Sequence, residues 1–529
     1  MSTTTSPSDR PAYFTRKATG LVREVSPVSA GIYNMMTASP GLFAAISAFF
    51  ALSVFPRANV IVSLLLTVPI ALLVAYTFGR LQAAFPRTGG DYVINSRVLG
   101  PRVGVASTLL NSCGAVVGMG FFAYAFVGSG LQPLLAMVGT TSGSKTLLDA
   151  ANSLTHHGWQ ALFALVLLAI GIAVCAVPIR VTMRVQNVCV AIASVGFVVA
   201  LLMLWFTSKG TFTAHFDKYA GAGNYHRLVA AGGHESYTAR DTVLAIGTIA
   251  SFTVFQWWSM YFAGEIKALG RRSVSTMLTP TLIYFGALLL MVGTLFAKFG
   301  HPFLAAANTG DKAYTLAAPP YWTFLATIAG GHTFWAVLFG VTFLFWFPVL
   351  AIVQLLAPIR TGFALGFDGV FPSAVAKVDR RTHIPVVAVA IVAILCTGTT
   401  LWAVFGGPSF FSAAIYAAFF VLWTMALMSV AAMVLPFRRP QLWAASPGAS
   451  RVLGIPTITI AGFFTLLGSV FLIYLYVAYR QYGIPSGVRA VVYACLVALV
   501  GAAVYTVAKA VRGREGIDLD QNYMEIPPE

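Results

Sequence analysis

Sixteen Asp and Glu residues occur in 529, and a carboxylate inside a bilayer is costly and therefore usually functional. None of the sixteen falls at the middle of a long apolar run; Glu265 and Asp241, at opposite ends of one run, come nearest. The apolar runs contain no HExxH, no GxSxG and no paired aspartates. An enzyme working within such runs would need those groups, so the expectation is a protein without catalytic residues, metal or cofactor. Cys113, Cys175, Cys189, Cys396 and Cys495 all lie in apolar runs without CxxC spacing, which suits packing rather than a disulfide framework or a zinc site.

What remains is backbone chemistry. Asn34-Met35-Met36-Thr37-Ala38-Ser39-Pro40-Gly41 sets two hydroxyls, a proline and a glycine within an otherwise apolar stretch. Proline removes the amide donor that would continue a helix and is favoured at the first position of a new one. The pattern predicts an unwound joint at Thr37 to Ser39, with Pro40 opening a second half-helix. Unpaired backbone at membrane depth is tolerated where it lines a cavity or is buried in protein, and a half-helix N-terminus attracts a carboxylate. The alternative is a proline kink satisfied by neighbouring helices. A weaker counterpart is Ser251-Phe252-Thr253-Val254-Phe255-Gln256-Trp257-Trp258, which holds no glycine or proline. There the hydroxyls of Ser251 and Thr253 either face a site or bond back to their own helix.

The elements that must position these joints are membrane helices. Hydrophobic residues make up 58% and charged ones 9%, against about 25% charged in a soluble domain. Runs of 20 residues or more, rather than alternating segments of about 10, exclude a barrel. Twelve spans are predicted, near 28–54, 59–79, 103–130, 159–177, 185–207, 242–266, 274–297, 332–357, 384–405, 409–435, 453–478 and 487–511, the third able to extend to Met137. The net charge of +17 is spread between the runs, which does not describe a nucleic-acid surface. Twenty-three of the 33 Lys and Arg lie in the tails and the loops after even-numbered spans, so both tails are expected to be cytoplasmic in a multi-pass cell-membrane protein. Residues 208–241 then form a long external loop, a surface cover or docking site. The first 25 residues show no signal peptide. Residues 91–99 are expected along the cytoplasmic surface, and the acidic tail from 512 to 529 is expected to be disordered.

Three motifs, in order at the predicted cytoplasmic edges, resemble one family. Phe85-Pro86-Arg87-Thr88-Gly89-Gly90-Asp91-Tyr92 is similar to the FPxxGGxY signature of amino acid, polyamine and organocation (APC) permeases. Ala263-Gly264-Glu265-Ile266-Lys267 resembles the stretch ending their sixth span, and Arg360 followed by Asp368-Gly369-Val370-Phe371-Pro372 resembles their loop after the eighth. The resemblance covers roughly residues 26–435. It implies an all-α fold with a five-plus-five inverted repeat, broken helices 1 and 6, and two additional helices over 436–511. By position it implies that Thr37, Ala38 and Ser39 bind a substrate carboxylate, that Ser251, Phe252, Thr253 and Trp257 lie on the broken sixth span that takes the amino group, and that Asn111 and Ser112 face the site from the third.

Three departures qualify this. Arg80 stands where many members have glutamate, Ala193 where some proton-coupled members have lysine, and Trp257 where many have an acid. An uncharged site disfavours polyamines and arginine. Of the other polar residues, Glu265 is expected to pair with Lys267, Arg271 or Arg272, His332 to sit solvated at a helix end, and Gln354 either to line an inner vestibule or to bond a neighbouring helix. The expectation is secondary-active amino acid transport by alternating access, neutral or apolar substrates favoured, with a proton or no ion favoured over sodium. The alternatives are an organic amine or small-metabolite exchanger and a non-transporting metabolite sensor. The expected partners are a small-molecule substrate and the lipid bilayer.

Overall fold

The computed structural model describes residues 20–37, 39–233, 237–484 and 486–524, apart from the side chains of 46–49. Most of the N-terminal tail, Ala38 and the last five residues therefore lie outside the described residues. Ser26 opens the first helix by accepting from the Ser29 amide at 3.0 Å, and Pro27 takes the first position, where its missing N–H costs nothing. This helix, α1 (Pro27–Met36), stops short of α2 (Pro40–Val54). Between them Ser39 takes a left-handed conformation, φ 38°. The joint expected from the hydroxyl-proline-glycine pattern is thus where the helix breaks.

After α3 (Val60–Ala84) come α4 (Gly90–Val98) and α5 (Pro101–Ala125), the last continued through a π-turn into α6 (Gln132–Ser142). The third span therefore outruns the 103–130 expected. Next are α7 (Lys145–Ser153), α8 (His157–Cys175), α9 (Ile179–Phe206), α10 (Lys209–Ala220), α11 (Asn224–Ala231) and α12 (Ala239–Thr253). Helical geometry ends at Val254 and resumes as 3-10 turns at Trp258–Tyr261 and Ala263–Glu265. The second half continues with α13 (Leu269–Arg272), α14 (Ser275–Thr309, kinked at Gly300), α15 (Trp322–Gly330), α16 (Thr333–Leu344), α17 (Trp346–Phe367), α18 (Val386–Phe405) and α19 (Pro408–Arg438). It ends with α20 (Pro440–Ala445), α21 (Thr457–Ala478) and α22 (Gly487–Arg514).

The chain is an all-α polytopic membrane protein in which, among the described residues, eleven helices are long and apolar enough to cross a membrane. The pair α1 and α2 falls outside that number because neither half approaches about 20 residues. Helix α5 is central, packed by α4, α17, α18, α19 and α22. Both described chain ends lie at one end of the bundle. Val25 bonds the backbone of Glu265 and Lys267 there, and Tyr523 meets Tyr92. At the opposite end α10 and α11 cover the bundle, with Phe212, Phe216 and Tyr225 packed against Phe299 and Phe303 of α14.

Two expectations are overturned at the terminal end. Residues 90–98 do not lie on a surface; all nine residues of α4 are buried. The tail is not disordered over its described part. Residues Leu519–Tyr523 form a 3-10 turn, and Tyr523 is buried with its hydroxyl 2.9 Å from that of Tyr92. An aromatic side chain that reaches an apolar, hydrogen-bonded slot outweighs the disorder tendency of the acidic residues around it.

Candidate substrate site

The two helix breaks meet. The Thr37 hydroxyl lies 2.6 Å from the Asn34 carbonyl and 2.9 Å from the Phe255 carbonyl, so it joins the break after α1 to the break after α12. One turn earlier, Asn34 fixes the same pair of segments. Its carboxamide nitrogen donates to Ser259 Oγ at 2.9 Å and to the Thr276 carbonyl at 2.8 Å, while its oxygen accepts from the Ser259 amide at 2.8 Å. At the opening of α2, the amides of Gly41 and Leu42 are among those a helix start leaves without an intrahelical partner.

A cavity of about 400 Å³ opens beside these breaks. Thr37 and Phe43 border it on one side, and Thr248, Ser251, Phe252, Phe255 and Trp258 on another. Helix α5 contributes Gly114, Gly118, Phe121 and Phe122, and α17 contributes Gln354. The remaining wall is α19 and α21, with Phe411 and Tyr476, and Tyr482 just beyond α21. Among the described residues, no Asp, Glu, Lys, Arg or His lines it. The Ser251 and Tyr476 hydroxyls are hydrogen-bonded, Tyr476 stacks on Tyr482 at 5.0 Å, and Tyr482 donates to the Leu244 carbonyl.

Of the residues singled out in the sequence, Thr37, Ser251 and Phe252 line the cavity. Ser39 is buried in the joint itself. Asn111 and Ser112 lie on α5 but outside the lining, as does Thr253, whose hydroxyl bonds back to the Ile249 carbonyl at 2.8 Å. Trp257 is fully buried, edge-on to Phe78 at 5.2 Å, and Trp258 is the indole that borders the cavity. Gln354 lines the cavity, its Oε1 without a hydrogen-bond partner. Residues of α19 and α21 were not signalled by sequence, because nothing local distinguishes a cavity-facing phenylalanine or tyrosine from a lipid-facing one.

Below the breaks the terminal end is closed by buried polar groups. Glu265 does not pair with the bases beside it in sequence. Arg360 of α17 bonds both its oxygens, at 2.7 and 2.8 Å, with both side chains buried. The turn at Ala263–Glu265 points the carboxylate inward, whereas Lys267, Arg271 and Arg272 lie on the outside. Arg97 of α4 pairs likewise with Asp368 at 2.7 Å. Asp91 is bonded by Tyr261, Ser107 and Thr108. The double glycine makes this closure possible. Gly89 and Gly90 take φ of 122° and 55°, and a Cβ on Gly90 would lie 2.5 Å from the Tyr261 ring. Arg80, which replaces the customary glutamate, bonds the Pro447 carbonyl at 3.3 Å, the Gly448 carbonyl and Ser450.

Two interrupted helices thus border a cavity whose described lining is uncharged, and buried ion pairs close the end beneath it. Comparison with curated proteins gave no match. The family described as amino acid permease matches residues 25–504, nearly the whole chain, and the protein therefore belongs to that family, within the APC superfamily of transporters.

Proposed function

We propose that the protein is a secondary-active transporter of neutral amino acids with apolar side chains, working by alternating access in the cell membrane with both termini cytoplasmic. The observation that carries this is the cavity at the meeting of the two breaks, bounded by aromatic and small residues with, among the described residues, no ionisable group other than tyrosine. The α-carboxylate is assigned to the Gly41 and Leu42 amides that open α2, directly after the Thr37 to Ser39 joint, and the ammonium to carbonyls at the break after α12, with Phe255 foremost. The side chain then meets Phe252, Trp258 and the α19–α21 wall. A charged side chain placed there would be desolvated without a partner, at a cost of several kcal/mol. Residues 26–435 would form the two five-helix repeats, the joined pair α1 and α2 counting as a first, broken span, with α21 and α22 added to them.

Sodium coupling is disfavoured by what fills the contact between the first joint and the eighth span. The Trp322 indole donates to the Gly41 carbonyl at 2.7 Å, and the Trp346 indole stands where a Cβ on Gly41 would fall, 2.3 Å away. Thr342, the nearest hydroxyl in the eighth span, is turned onto the Leu338 carbonyl at 2.7 Å. A second reading, exchange of organic amines, has one observation in its favour: the aromatic faces around the cavity could hold an ammonium with about 0.5–2 kcal/mol each.

A thermal-shift screen of purified protein separates the readings. A ligand at 100 times its dissociation constant adds about 2.7 kcal/mol of stability. Leucine, methionine or phenylalanine should stabilise, and the corresponding amines lacking the carboxylate should not. Equal stabilisation by acid and amine would remove the carboxylate site.

A further inference from the structure

Three buried carboxylates close the terminal end, and two of them face a guanidinium: Glu265 meets Arg360, and Asp368 meets Arg97. Asp91 does not. It is fully buried, and its hydrogen-bond donors are neutral: the hydroxyls of Tyr261 at 2.6 Å, Ser107 at 2.7 Å and Thr108 at 3.3 Å, and its own backbone amide. These donors belong to different elements. Ser107 and Thr108 are on α5, and Tyr261 is on the segment that follows the break after α12.

The charged and titratable groups on the elements packed against α4 are engaged elsewhere. On α4 itself Tyr92 donates to Asp368 at 2.8 Å and Arg97 pairs with the same carboxylate. On α5 Arg102 is exposed and Cys113 is a neutral thiol. Arg438 of α19 donates to the Val98 carbonyl at 3.1 Å, Arg439 just after it to the Arg97 carbonyl at 3.0 Å, and Arg360 of α17 to Glu265. A carboxylate desolvated without a cation is the group most readily kept protonated in a protein interior.

We propose that Asp91 is a proton-binding site of the transport cycle, holding a proton under mildly acidic conditions while the terminal end is closed and releasing it when the 258–265 segment moves away and admits water. This deepens the transport reading and rests on it for its role in the cycle. Burial, opposed by the three hydroxyl donors and the Asp91 backbone amide, lifts the carboxyl to about 6. Once hydrated, it returns toward the ordinary value near 4. The closed state is therefore the tighter proton binder, so acid favours closure and opening releases the proton. Between about pH 4 and 6 the open-to-closed ratio falls about fivefold per unit of acidification; above about 6 neither state holds the proton and the dependence fades.

The test uses full-length protein in lipid nanodiscs, without substrate, so that its outcome is independent of what is transported. Ala263→Cys places a thiol on the moving segment, and its maleimide labelling is read by peptide mass spectrometry. The ratio of its rate to that of Ala263→Cys with Asp91→Asn cancels the pH dependence of the thiol. That ratio should rise about tenfold from pH 5 to pH 7 and then level, because the carboxamide stays neutral throughout. A flat or falling ratio would overturn the proposal. Should Asp91→Asn fail to fold, infrared titration of the unsubstituted protein replaces it. A protonated-carboxyl band with a midpoint near pH 6 is expected, and the absence of any carboxyl titrating between pH 5 and 7 would overturn the proposal equally.

Discussion

Trp257 and Trp258 are adjacent in sequence and opposite in role. Trp258 borders the cavity, while Trp257 is fully buried beside Phe78. We expect Trp258→Phe to change the ranking of apolar amino acids by side-chain size in a thermal-shift screen. Trp257→Phe should leave the ranking unchanged and lower the melting temperature; Trp257→Ala should cost about 3–5 kcal/mol, the usual range for emptying a packed tryptophan site. A ranking altered by Trp257→Phe alone would reverse the assignment. Sequence could not have chosen between the two indoles. Faces are assigned by the 3.6-residue period, and helical geometry stops at Val254, three residues before them. The first joint was legible because proline and glycine punctuate it directly after two hydroxyls. The second carries no such punctuation, and its position follows from the partner it meets, the Thr37 hydroxyl.

At the scale of elements, the closed end depends on pairs brought together from distant segments. Arg360 and Glu265 are 95 residues apart in sequence. Such pairs leave no local pattern, which is why sequence assigned Glu265 to its basic neighbours and α4 to a surface. Removing one partner of a buried pair strands the other, so Arg360→Met should cost about 3–5 kcal/mol, and the double change with Glu265→Leu should recover part of it. Thermal unfolding of the single and double variants in one detergent checks this; a double variant no better than the single would contradict it. The glycine pair is the second support. Gly90→Ala adds a Cβ into the Tyr261 ring at a positive φ, and an overpacked site of this kind typically loses about 1–3 kcal/mol. A wild-type melting temperature for Gly90→Ala would show that Tyr261 does not stay over α4.

Across the whole molecule, the described tail acts on the same closed end. Tyr523 lies over the Arg97 guanidinium at 4.9 Å, Asn522 donates to the Asp368 carbonyl at 3.2 Å, and Arg439 bonds the Tyr523 carbonyl at 3.1 Å. Deleting residues 515–529 should therefore lower the melting temperature and raise maleimide labelling of Ala263→Cys several-fold. Unchanged labelling would make the tail a passive cover.

Whether the two breaks of the bundle hold a neutral amino acid against an aromatic wall is decided in proteoliposomes containing the purified protein. With an inward proton gradient and choline in place of sodium, labelled leucine or phenylalanine should accumulate above the level of empty vesicles, and arginine and putrescine should not. Uptake of arginine or putrescine in preference to the apolar amino acids, or uptake that strictly requires sodium, would contradict it.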